Sequence, residues 1–185
     1  CEYLEKNGFE VTYLPVDEYG KISLDDLKAA IRPETILVSV MFANNEIGTV
    51  EPIKEIGAIC HEKGIYFHTD AVQAFGHIKI DVQDMNIDFL SISGHKIGAP
   101  KGIGALYIRK GCKIDNLIHG GQQERGRRAG TENVIGIVAL GKAAEMAMAE
   151  IDEVTAKLTY LRDKLINSLL SKIDYARLNG HPVDR

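Results

Sequence analysis

The sequence predicts an α/β fold with a largely parallel sheet, and three observations lead there. Apolar runs of strand length alternate with stretches whose apolar residues recur at helical spacing. The run TILVSVMFA at 35–43 is apolar almost throughout, as expected of a strand buried on both faces. Short loops rich in Gly, Asn and Asp separate these segments.

Taken in order, FEVTYLPV at 9–16 reads as a strand and DEYGKI as the turn after it. SLDDLKAAI at 23–31 is a helix, with Ser23 as N-cap and acidic residues in its first turn. The strand at 35–43 follows, and NNEIG forms the loop at its end. Pro52 opens a helix that runs to about Lys63 and stops at Gly64. IYFHTD at 65–70, IDFLSIS at 87–93 and GIGALYIR at 102–109 are the remaining strands. From Thr131 to Lys172 the pattern is helical, with apolar residues three and four apart.

Composition narrows the function. At 185 residues the chain can bury a substantial core, and 45% hydrophobic with 26% charged residues is ordinary for a globular protein. No window approaches the ~18 consecutive apolar residues of a membrane span, and no signal-peptide pattern opens the chain. A net charge of -4 argues against direct nucleic-acid binding. Arg125, Arg127 and Arg128 gather locally in ERGRRAG, a cluster that serves as a solvated loop or an anion site. Cys1, Cys60 and Cys112 have no C-x-x-C spacing, which points to a reducing compartment, the cytoplasm. Cys60 fits a helix core and Cys112 a loop, and neither is assigned a catalytic role.

In parallel sheets, ligands collect at the carboxyl ends of strands. That rule selects Asn44 and Asn45, Asp70 and Gln73, and Ser93, His95 and Lys96. His68 and Asp70 have the H-x-D spacing of a metal pair, but the local sequence supplies no third ligand. GAPKGIG lacks the Gly-Lys-Ser/Thr ending of a phosphate loop, and GIGALY fails as a dinucleotide fingerprint. What remains is an amine, a carboxylate and small hydrogen-bonding groups. An amine freed of its proton can form an imine, a carboxylate can keep a pyridine nitrogen protonated, and hydroxyl, N–H and imidazole groups can hold a phosphate. Together these parts describe a site for pyridoxal 5'-phosphate.

FHTDAVQAFGHIKIDV and DFLSISGHKIGAPKGIGALYIR strongly resemble the cysteine desulfurases, class V aminotransferase-like enzymes of fold type I. ANNEIGTVEPI and HGGQQERGRRAGTENV resemble the same family, in its NifS/IscS-like branch. Gln122 departs from the pattern, standing where a third glycine would follow Gly120 and Gly121. The resemblance implies a three-layer α/β/α large domain over residues 1–175, with residues 176–185 starting a smaller C-terminal domain. It implies that Lys96 carries the cofactor as an imine and moves the Cα proton. Asp70 would pair with the pyridine nitrogen, and Gln73 with the phenolic oxygen. Asn45 would sit near that oxygen and the substrate carboxylate, with Ser93 and His95 on the phosphate. Thr131 would reach the phosphate of the partner subunit's cofactor in a homodimer, placing the arginine loop at an interface.

The implied reaction turns L-cysteine into L-alanine and passes sulfur, as an enzyme persulfide, to an iron–sulfur scaffold or another acceptor such as the tRNA-thiolation machinery. The resemblance also implies that the persulfide cysteine and the substrate arginine lie beyond this chain, as do an upstream phosphate-binding turn and a ring-stacking histidine. On that expectation the chain is a central piece, inactive alone and a weak binder of the cofactor. Another class V enzyme, an aminotransferase or a selenocysteine lyase, would share the Lys/Asp pocket, and a purely dimerising piece would need no cofactor.

Overall fold

The computed structural model describes residues 1–185. After a short helix α1 (Glu2–Glu5), the first helix with a built start is α2 (Leu24–Ala30). There the Ser23 hydroxyl accepts from the Asp26 amide, and Asp25 and Asp26 meet the positive end of the helix dipole. Strand β1 is Leu37–Met41. Helix α3 (Ile53–Lys63) has Pro52 as its N-cap and ends at Gly64, whose φ of 68° only glycine adopts freely. Ile53, Ile56, Gly57 and Cys60 form its buried stripe, spaced by three, one and three residues. A Cβ on Gly57 would lie 1.9 Å from the Met85 carbonyl oxygen, so glycine is what lets α3 pass that loop.

Strands β2 (Tyr66–Asp70), β3 (Phe89–Ser93) and β4 (Gly104–Ile108) complete a sheet of order β1-β2-β3-β4. The first two pairings are parallel and the third antiparallel, so the mostly parallel α/β fold expected from the sequence is what forms. In register, Ser39 stands opposite His68, Met41 opposite Asp70, and Asp70 opposite Ser91. Side chains alternate between faces along each strand. Val38, Phe67 and Leu90 therefore join Leu27 of α2 and Ile56 and Cys60 of α3 in one apolar core. Phe67 is fully buried there, worth about 2–3 kcal/mol over leaving it exposed.

Two strand expectations need correction. Residues 9–15 form no ladder; only Val16 makes an isolated bridge, to Ile22 across the Asp17–Gly20 turn. Aromatic and β-branched residues favour extended backbone, but a strand exists only where a neighbour takes its hydrogen bonds, and Phe9, Tyr13 and Val16 are exposed. The run at 35–43 is not buried on both faces. Leu37 of β1 is 45% exposed, and Ile36 just ahead of the strand is 65% exposed.

Past β4, α4 (Gln123–Gly126) is a single turn in which Glu124 and Arg125 take left-handed φ values of 51° and 59°. Helix α5 (Val134–Leu170) follows as one 37-residue rod, begun by the Asn133 side chain accepting from the Gly136 amide. It docks on the segment after β2: the Thr155 hydroxyl donates to the His77 carbonyl at 2.9 Å, and Lys79 pairs with Asp152. No helix is long and apolar enough to cross a membrane. Residues 179–185 return to the loop after β1. The Val50 amide donates to the Asp184 carbonyl, the His181 amide to the Thr49 hydroxyl, and the Arg185 guanidinium to the Ile47 carbonyl.

Candidate active site at the carboxyl edge of the sheet

Because β1, β2 and β3 run parallel, their carboxyl ends lie along one edge, and each ends in a polar loop. Beyond β1, the Phe42 amide still donates to the Asp70 carbonyl at 2.8 Å. The Asn44 side-chain oxygen then accepts from the Glu46 and Ile47 amides, which turns the chain and leaves Asn45 exposed at its tip.

At the end of β2, Asp70 Oδ1 accepts from the Val72 amide at 2.9 Å, and Oδ2 has no partner within the chain. The carboxylate is half-buried, and Gln73 follows on the same turn, also half-buried. At the end of β3 the chain tightens into a 3₁₀ turn, Gly94–Ile97. A Cβ on Gly94 would lie 2.8 Å from Ile103 Cγ2 and 3.1 Å from its carbonyl oxygen, so glycine allows the turn to close on the strand leading into β4. The Ser93 hydroxyl and His95 Nδ1 lie 2.7 Å apart, and His95 and Lys96 are exposed. Lys96 also lines a groove of about 340 Å³ between this turn and α5, with Gly76, His77 and Glu150.

Six of the seven residues to which the resemblance gives a cofactor role thus share this edge: Asn45, Asp70, Gln73, Ser93, His95 and Lys96. Thr131 does not join them within one chain. It stands exposed in the loop ahead of α5, with no hydrogen bond to the strand ends.

On the sheet face opposite the core, His68 Nδ1 lies 2.8 Å from the Ser39 hydroxyl and its Nε2 lies 2.9 Å from the Ser91 hydroxyl. This line of contacts crosses three strands. Burial holds the His68 pKa below the usual histidine value, against the opposing pull of the Asp70 charge. Sequence reasoning weighed His68 only as a metal ligand and missed both serines. The available signal was one polar residue at the centre of each apolar strand, in LVSVM, YFHTD and FLSIS. Burial pushes the Cys60 thiol up to about 12, and burial first, then the Asp88 charge, raises that of Cys112. Neither sulfur offers a ready thiolate at neutral pH.

The donor set fits pyridoxal phosphate. It contains an exposed amine, a carboxylate oxygen without a protein partner, and a hydroxyl–imidazole pair on a turn with small residues. No group of three acidic, histidine or cysteine side chains is placed to hold a metal ion.

A family model described as aminotransferase class-V matches residues 1–185. A cysteine desulfurase IscS of Methanosarcina thermophila is 66% identical over 185 residues, covering 100% of this chain and 46% of that protein. Among solved structures, a NifS-like protein superposes with a TM-score of 0.88 at 44% identity, covering 92% of this chain and 47% of the other. A structure described as SspA in complex with cysteine superposes at 0.77 with 52% identity, over 78% of this chain and 42% of the other. The chain spans about half the length of the curated relatives it matches.

Proposed function

The chain belongs to the aminotransferase class-V family, and from that premise we propose that it is the cofactor-binding part of a cysteine desulfurase. Such an enzyme converts L-cysteine to L-alanine and passes the sulfur on as a persulfide. The observation that carries the reading is the placement of Asp70 at the end of β2 and of Lys96 on the turn just past the adjacent parallel strand β3, in a chain 66% identical to a named cysteine desulfurase. In this reading residues 1–175 are the large domain's share and 176–185 begin the smaller one.

When bound, pyridoxal phosphate supplies an electron sink for bond changes at the substrate Cα. The chain's own groups do the rest. Lys96 would hold the cofactor, and its amine, at the tip of a fixed turn, is suited to carry the Cα proton. Asp70, with Oδ1 oriented by the Val72 amide, would keep the pyridine nitrogen protonated through its other oxygen. Gln73 and Asn45 would donate to the phenolic oxygen, and Asn45 would also face the substrate carboxylate. Ser93 and His95 hold the phosphate, a role supported by their mutual contact at 2.7 Å.

Thr131 serves the partner subunit's site in a homodimer. A subunit interface there is supported by the exposure of Leu117 (95%) and Ile135 (83%) on either side of the arginine loop. Cys60, buried with its thiol held protonated, is not assigned as the sulfur-accepting cysteine. The acceptor is an iron–sulfur scaffold or another sulfur carrier of the cytoplasm.

Borohydride trapping tests the reading. The chain is incubated with near-stoichiometric pyridoxal phosphate and reduced, and the labelled peptide is mapped. Labelling concentrated on Lys96 is expected. Even scatter over the other lysines, both here and in a chain extended at both ends, would remove the cofactor assignment.

A further inference from the structure

We propose that His68 is a positioning residue for Asp70: bonded to Ser39 of β1 and to Ser91 of β3, it braces the three parallel strands whose ends carry the cofactor-binding groups. The inference rests on the pyridoxal phosphate reading above and adds to it a residue outside the binding set.

The geometry is specific. Asp70 follows His68 by two residues on β2, so both side chains leave the same face, about 6–7 Å apart along the strand. Ser39 is the register partner of His68, and Ser91 is the register partner of Asp70. His68 is therefore tied on one side to the strand that leads to Asn45 and on the other to Asp70's own neighbour. Ser93 lies two residues past Ser91 on that same face.

Just past the register pairs, Phe42 N–H donates to the Asp70 carbonyl, Ala71 N–H to the Ser91 carbonyl, and Val72 N–H to Asp70 Oδ1. β2 and β3 share only three register pairs, so a side-chain tie across them removes freedom the backbone leaves open.

The chemistry of the brace suits its neighbour. A neutral imidazole has one donor and one acceptor, and a serine hydroxyl takes either role, so both contacts are satisfied without a charge. A cationic ring beside Asp70 would compete for the carboxylate that is to receive the pyridine nitrogen. Partial burial favours the neutral ring.

The test compares His68→Phe, His68→Gln and the double substitution Ser39→Ala with Ser91→Ala. Two quantities are read: amide hydrogen exchange at Phe42, Ala71 and Val72 without cofactor, and pyridoxal phosphate affinity by titration. His68→Phe is expected to raise exchange at those three amides about tenfold, with the α3 amides unchanged, and to weaken affinity about tenfold, the scale of one or two hydrogen bonds. The double serine variant should reproduce this, and His68→Gln, which keeps a donor and an acceptor, should recover most of it.

Unchanged exchange at the three amides overturns the proposal, and so does an equal rise across α3. Raised exchange with wild-type affinity overturns it too, because the brace would then not serve the site. Asp70→Asn separates the two levels. If it weakens binding while His68→Phe does not, only the role of His68 falls. If neither substitution affects binding, the cofactor reading falls as well.

Discussion

The two faces of one sheet divide the work of this protein. On one, Val38, Phe67 and Leu90 meet α2 and α3 in a closed apolar core. On the other, Ser39, His68 and Ser91 run as a polar line toward Asp70 and Ser93, and Tyr66 and Phe89 pack edge to face behind them. Neighbouring residues on the same strands serve opposite ends: Phe67 anchors the core, His68 the polar line, Thr69 the core again, and Asp70 the site. The two-residue period of a strand makes this possible, and it also makes register decisive, since a slip of one residue would exchange the faces. Stability and chemistry are thus separable by substitution at adjacent positions.

The strongest challenge to that separation comes from the core face. Phe67→Ala is expected to cost about 3–5 kcal/mol, read as a large drop in the denaturant midpoint. A cost under 1 kcal/mol would mean this face does not hold the fold.

Three positions along, Asp70→Asn keeps the oxygen that accepts from Val72 and removes the charge. Stability should stay within about 1 kcal/mol of wild type, while cofactor trapping at Lys96 falls about tenfold or more, as loss of a charge-assisted hydrogen bond predicts. Unfolding by this substitution would show that the faces are not separable.

Thr69 sharpens the contrast with the opposite sign. Its hydroxyl is fully buried on the core face and has no hydrogen-bond partner, unlike the satisfied side chains of Ser39 and Ser91. Thr69→Val removes an unpaired polar group at nearly constant shape and should stabilise the chain by about 1 kcal/mol. Destabilisation in thermal or chemical melts would show that the hydroxyl finds a partner in solution.

The smallest effect is a pH slope. His68 has a folded pKa below the ordinary 6.5, so as pH falls through 6.5 the unfolded chain takes up a proton before the folded one does. This contribution to stability is complete above pH 6.5, declines as pH falls from there, and levels off below the folded pKa. Denaturation series on wild type and His68→Gln should differ by this slope and by nothing comparable near pH 8. Identical slopes would show that His68 is not held neutral.

Much of this was legible in the sequence, for local reasons. Ser23 with its acidic first turn, Gly64 after Lys63, and the apolar cores of β2 and β3 each carry their signal within a few residues. Strand-end position alone selected Asn45, Asp70, Gln73, Ser93, His95 and Lys96. FEVTYLPV was misread because extended propensity is local, whereas pairing depends on what lies alongside. TILVSVMFA was misread because whether a strand's second face is covered depends on what packs there, which is not written in its own composition. The His68 brace was invisible for a related reason: its parts lie 29 and 23 residues apart, and only register joins them. Thr49 is a sharper case. Its hydroxyl donates to the Tyr19 carbonyl and accepts from the His181 amide, 132 residues away, and no local pattern marks it.

By itself, then, the sequence determined the identity and order of most elements, the helix ends, and the groups presented at the strand ends, since capping, periodicity and turn chemistry act over a few residues. The tertiary structure alone decided which face is buried and which side chains meet across strands. Those depend on parallel pairing between segments distant along the chain, a choice made by the packing of the whole sheet against α2 and α3.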